Sequence, residues 1–153
     1  MKVYLGADHA GFYLKERIKK LLDKRKIRWI DVGNTVLEEG DDYPDFAFGV
    51  AEGVYREKGS RGILICGTGS GMCIAANKVK GIRAAAAFDK YTAKMSRVDN
   101  DSNILCLRGR KFFTRNALKI VNVWLSTEFS GKGRHRKRID KISEYESAGR
   151  RKV

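Results

Sequence analysis

Five short apolar segments alternate with helical patterns along the 153 residues, and this alternation restricts the possible architectures more than any other feature of the chain. Residues 2–6 (KVYLG) read as a strand that ends in the turn Ala7-Asp8-His9-Ala10-Gly11. The amphipathic helix that follows carries Phe12, Leu14, Ile18, Leu21 and Leu22 as its apolar stripe. Arg28–Gly33 is the second strand, residues 34–42 form an acidic loop, and Pro44 marks the start of the next helix. Arg61–Cys66 (RGILIC) is the third strand, apolar enough to be buried on both faces, and residues 67–71 lead into a helix over 72–79. A fourth strand over 81–88, a helix over 89–98, a fifth strand over 103–107 and helices over 112–125 and 134–147 complete the chain. Strands separated one by one by helices predict an open parallel sheet with helices on both faces, in one domain. Such sheets bind ligands beyond the carboxyl ends of their strands, where the strand order reverses. Asp8-His9, the turn from Cys66 to Gly71, and Arg110 fall on loops of that kind, and Asp99-Asn100, ahead of the fifth strand, are grouped with them.

Composition narrows the chemistry. No stretch has the length and apolarity of a membrane helix, and the first residues lack the pattern of a signal peptide, so a cytoplasmic protein that meets no membrane is expected. Cys66, Cys73 and Cys106 form no C-x-x-C pair, and the only histidines are His9 and His135, which argues against a disulfide framework and a metal site. The net charge of +14 attracts anions without saying which. Lys132, Arg134, Arg136, Lys137, Arg138 and Lys141 crowd near the C-terminus, where a solvated helix face and an anion-binding face remain equal readings. Aromatic residues are not interleaved with that run, which disfavours nucleic acid as a partner.

Cys66-Gly67-Thr68-Gly69-Ser70-Gly71 joins a buried strand to a helix start. Glycines there let several N–H groups converge on one point, which makes an anion site. It is not a dinucleotide loop, because Met72 stands where G-x-G-x-x-G needs a small residue, and no Gly-Lys-Ser/Thr follows for a nucleotide phosphate loop. A thiolate at this place can remove a proton from a carbon next to a carbonyl, with the neighbouring N–H groups stabilising the enediolate oxygen. A buried structural cysteine is the competing reading, and it suits Cys73 and Cys106.

Gly6-Ala7-Asp8-His9-Ala10-Gly11, Asp42-Tyr43-Pro44-Asp45, Gly62-Ile63-Leu64-Ile65-Cys66-Gly67-Thr68-Gly69, Ala75-Ala76-Asn77-Lys78-Val79 and Gly81-Ile82-Arg83-Ala84-Ala85 together resemble the type B ribose-5-phosphate isomerases, a family that includes galactose-6-phosphate and allose-6-phosphate isomerases. Ser96-Arg97, Asn100-Asp101, Asn103, Gly133-Arg134-His135 and Arg138-Ile139 continue the match in register to about residue 143. The resemblance implies a Rossmann-like three-layer α/β/α sandwich with a five-stranded parallel sheet over residues 1–143, its last helix packing on a partner subunit, and a basic tail over 144–153. It implies an aldose–ketose isomerase of the pentose phosphate pathway that acts on ribose 5-phosphate or a six-carbon phosphosugar, needs no metal or organic cofactor, and shares its sites between the subunits of a homodimer or tetramer. By position, Cys66 is the base, with Thr68 beside it. Gly67, Gly69, Ser70, Gly71 and Asn100 surround the enediolate, and Asp8, His9 and Tyr43 face the sugar. Arg110, Arg134 and Arg138 hold the phosphate. Simpler readings stay open for some of these: Asp8 as a helix cap, His9 as a turn residue, Arg110 as a surface charge, Arg134 and Arg138 as a solvated stripe.

Three positions depart from the family pattern. Asp99 replaces the ring-opening histidine of Ser-Arg-x-His-Asn-Asp, and an ionised carboxylate accepts protons but hardly donates them. With two histidines in the chain, no neighbour is expected to replace it. Leu107-Arg108-Gly109-Arg110 shifts a glycine, and Lys132 is inserted in Gly131-Lys132-Gly133-Arg134-His135. The proton-transfer apparatus is thus expected to be intact and ring opening altered. The rival from another class is a basic binding protein that has kept the fold and lost the chemistry.

Overall fold

The structure is a computed structural model that describes residues 1–110 and 114–148. Strands β1 (Lys2–Ala7), β2 (Arg28–Gly33), β3 (Arg61–Cys66), β4 (Ala84–Ala86) and β5 (Ile104–Arg108) form one parallel sheet in the order β2-β1-β3-β5-β4. Helices α1 (Phe12–Lys24), α4 (Lys90–Val98) and α5 (Thr114–Ser126) pack on one face, around Leu14, Ile18, Leu22, Ala93, Ile120 and Trp124. Helices α2 (Tyr43–Arg56) and α3 (Ser70–Ala76) cover the other, around Ala47, Val50, Met72 and Ala76. The three-layer sandwich read from the alternation is the one observed.

Every residue of β3 is buried, as expected for a central strand covered on both faces. Two expected elements are shorter. β4 keeps three alanines of the expected residues 81–88, because Gly81 turns the chain at φ +76° and Asn77 blocks the outer edge. There the side-chain Oδ1 of Asn77 accepts the Ala84 N–H at 2.9 Å, and its Nδ2 donates to the Ala84 carbonyl at 2.9 Å. α3 ends at Ala76, three residues early, capped by the same asparagine. The expected start of α5 at Phe112 lies outside the described residues. α6 (Gly133–Ser147) runs four residues into the segment read as a tail, and Glu146 accepts from the Gly81 N–H at 2.9 Å.

Lys15 is fully buried, yet it is paired. Its ammonium donates to Asp31 Oδ1 at 2.6 Å and to the carbonyl of Asn34, tying α1 to the loop after β2. Lys19 bonds the other Asp31 oxygen at 3.0 Å. Burial opposes the charge on Asp31, but the two lysines outweigh it and hold its pKa below the ordinary carboxylate range. No described helix is long and apolar enough to cross a membrane.

Candidate active site

In a parallel sheet, the loop after a strand lies at the carboxyl edge and the loop before it at the opposite edge. β3 leaves toward the α2–α3 face, while its neighbours β1 and β5 leave toward the α1–α5 face. Cys66, at the end of β3, is therefore flanked on both sides by a reversal, the position where sheets of this kind form their ligand crevice.

The Cys66 side chain is almost fully buried, and the Gly69 N–H donates to its sulfur at 3.2 Å, which fixes where the sulfur sits. That contact requires Gly69 at φ +82°, a left-handed conformation that glycine adopts without strain, pressed against the Leu107 carbonyl. The Ser70 N–H donates to Thr68 Oγ1 at 3.3 Å, and both residues are exposed at the outer side of the turn. Tyr43, the first residue of α2, lays its ring over Gly71, where a Cβ would come within 2.8 Å of it.

The β1 and β5 loops close the other side. Asp8 is buried; its N–H donates to the Ile65 carbonyl at 3.2 Å, and its Oδ1 accepts from the Gly11 N–H at 3.0 Å. Burial pushes the Asp8 carboxyl up from its ordinary pKa. His9 Nδ1 lies 2.7 Å from Asp41 Oδ1, and His9 Nε2 lies 3.3 Å from Arg110 Nη2. The Arg110 side chain passes over Gly67, where even an added Cβ would meet it only at 3.5 Å, an ordinary packing distance. Asp41, which also accepts from Asn34 Nδ2 at 2.6 Å, was not singled out from the sequence. The acidic loop that contains it was the only signal.

Asp99 and Asn100 do not join this group. They cap α4 and turn into β5 at the opposite edge of the sheet, because a crossover helix returns the chain to the start of the next strand. Asp101, in a left-handed turn at φ 47°, bridges Arg83 and Arg97 at 2.9 and 2.8 Å. Arg134 and Arg138 are exposed on α6 beside this corner. The inserted Lys132 sits ahead of the helix as its N-cap, after Gly131 at φ +64°, so the helical spacing of Arg134, His135 and Arg138 is undisturbed. Asp99 does have a histidine beside it: His135 Nδ1 lies 3.4 Å from Asp99 Oδ1. Thirty-six residues separate the two in sequence, and the start of α6 brings them together. Among the described residues, no three side chains of metal-ligating type converge.

Fold and crevice together define a doubly wound α/β protein with a thiol beneath a glycine-rich turn and an arginine across its mouth. The chain belongs to the Ribose/Galactose Isomerase family, whose model matches residues 3–142. It is 50% identical to the ribose-5-phosphate isomerase B of Clostridium thermocellum, whose structure superposes with a TM-score of 0.92 over 97% of this chain and 99% of that one. The ribose-5-phosphate isomerase B of Mycoplasma genitalium, solved with bound ribulose-5-phosphate, is 43% identical, with a TM-score of 0.92 over 95% of this chain and 96% of that one. The ribose-5-phosphate isomerase B of Escherichia coli K12 is 43% identical over 145 residues, 95% of this chain and 96% of the relative.

Proposed function

We propose that the protein interconverts ribose 5-phosphate and ribulose 5-phosphate. The observation that carries this reading is the Cys66 sulfur held under the Gly67–Gly71 turn between Asp8 and Arg110, in a family with a member solved with ribulose-5-phosphate. Cys66 takes the proton from carbon 2 of the open aldose and returns it to carbon 1. The hydroxyl hydrogen moves between the two oxygens, and nothing is oxidised or consumed overall. The cis-enediolate formed between these steps carries negative charge on oxygen, for which Thr68, the amides of Gly67 and Gly71, and Asn100 supply donors, while the Gly69 amide holds the Cys66 sulfur and the Ser70 amide holds the Thr68 hydroxyl. Asp8, His9 and Tyr43 line the sugar, and Arg110 holds the phosphate.

Asp99, Asn100, Arg134 and Arg138 belong to this site only if a second copy of the chain supplies them. Their place at the far edge supports a homodimer, or a tetramer of two such dimers, with α6 against the partner. The cytoplasm is the compartment proposed. Asp99, an acceptor where the family pattern has a histidine, leaves sugar ring opening as the altered step.

The test is ketose formation from ribose 5-phosphate, allose 6-phosphate and galactose 6-phosphate, side by side. Ribose 5-phosphate is expected to turn over fastest. A faster six-carbon substrate moves the assignment within the family, and no turnover of any overturns it. Asp99→His is expected to raise kcat for ribose 5-phosphate about threefold or more, within the range of general acid–base assistance. An unchanged or lower kcat shows that ring opening is not limiting.

A further inference from the structure

His135 sits 3% exposed at the start of α6, and both of its ring nitrogens are engaged. Nδ1 lies 2.8 Å from Ser130 Oγ and 3.4 Å from Asp99 Oδ1, while Nε2 lies 3.0 Å from Arg134 Nε. A guanidinium nitrogen can only donate, so Nε2 is the bare, accepting nitrogen. The ring proton is then on Nδ1, where a hydroxyl oxygen and a carboxylate oxygen face it. Buried and bonded at both nitrogens, His135 has none left for a sugar, and it does not stand in for a ring-opening acid.

The arrangement does hold Arg134. A free arginine samples many rotamers, and ordering it on a ligand costs entropy. Bonded at Nε, the guanidinium keeps its two terminal nitrogens for an outside partner and turns them in one direction, which is the fork that a phosphate group takes. We infer that Asp99, Ser130 and His135 form a positioning relay that fixes the guanidinium of Arg134 for the substrate phosphate. Asp99 acts through the tautomer: its carboxylate beside Nδ1 favours the proton there and so leaves Nε2 as acceptor. The inference rests on the reading of Arg134 as a phosphate ligand, and it gives Asp99 a task besides ring opening.

The experiment measures KM and kcat for ribose 5-phosphate, and the inhibition constant of inorganic phosphate, in the full-length protein. His135→Ala is expected to raise KM and the phosphate constant about fivefold, the scale of one hydrogen bond to a charged group. Its kcat is expected to stay within about twofold, because the lost contact serves ground and transition states alike. His135→Gln, whose carboxamide oxygen can accept from Arg134 Nε while its NH2 faces Asp99, is expected to recover most of the loss. Asp99→Ala is expected to raise the phosphate constant about twofold. Arg134→Ala sets the ceiling for all of these. If Arg134→Ala weakens phosphate and His135→Ala does not, the relay is overturned while Arg134 stands as a phosphate ligand. If Arg134→Ala leaves phosphate inhibition unchanged, the reading beneath it falls. An Asp99→Ala protein with wild-type phosphate inhibition overturns the relay even where His135→Ala fails to fold.

Discussion

The two ends of the sheet carry the candidate site residues in different ways. At the carboxyl edge, Asp8, Cys66 and Arg110 sit within a few residues of three adjacent strands, so strand register alone brings them together. At the opposite edge, the corner of Asp99, Asn100, Arg134 and Arg138 depends on long-range polar contacts. Ser102 Oγ bonds Ser96 Oγ and the indole N–H of Trp124, each at 2.9 Å, and the Arg97 guanidinium reaches the Ser102 carbonyl at 2.5 Å. These bonds brace the corner from beneath, with Arg97 buried, while Arg134 and Arg138 are exposed to solvent. One end thus gathers the thiol, Asp8 and Arg110 within a single chain, and the other leaves its candidate residues apart from them.

The largest effect expected on the first end is that of Cys66→Ala, with kcat/KM for ribose 5-phosphate falling about a thousandfold and the circular dichroism spectrum unchanged. Residual activity near wild type would remove the thiol from the chemistry and the contrast with it. Next comes a complementation assay. Cys66→Ala and Arg138→Ala chains, each impaired alone, are refolded together. If each site draws on two chains, a mixed dimer holds one intact site, and about a quarter of wild-type activity returns. Activity no higher than that of the parents would mean that the far corner does not serve the Cys66 crevice.

Asp31→Ala tests what supports the carboxyl edge. It leaves the Lys15 ammonium buried without its carboxylate, an expected loss of about 3–5 kcal/mol in urea unfolding. Asp31 has a lowered folded pKa, so its contribution is present above the unfolded value of about 4 and lost as pH falls through the folded one. The gap between wild type and Asp31→Asn should therefore narrow below about pH 4. The smallest effect is expected for Asp8→Asn. The folded pKa of Asp8 is raised, so the wild type is penalised once pH rises through that value. The variant should be more stable by less than about 1 kcal/mol at neutral pH, and equal to wild type in acid. An Asp8→Asn protein destabilised at neutral pH would show that its charge supports the loop instead.

The same contrast explains what the sequence discloses. β3 and its glycine turn were legible because a continuous apolar run followed by Gly67-x-Gly69-x-Gly71 has few other foldings, and the five strands followed from the same periodicity. The placement of Asp99-Asn100 was not legible, since proximity to a strand says nothing about which edge is meant until the crossover direction is known. The His135–Asp99 contact depends on how α6 folds back, and no local pattern encodes that. Asp41 was hidden for a related reason: an acidic loop offers Glu38, Glu39, Asp41 and Asp42 alike, and only the position of His9 selects one.

Asn77 has a consequence for how the protein behaves at high concentration. β4 is one of the two edge strands, and an edge strand presents free backbone groups that another molecule can extend into a continuous ribbon. The carboxamide of Asn77 already occupies both polar groups of Ala84, and β4 is only three residues long. A stranger's strand would have to displace a bidentate partner to gain two hydrogen bonds. One side chain therefore protects this border against edge-to-edge aggregation, a role normally filled by a bulge or a covering helix.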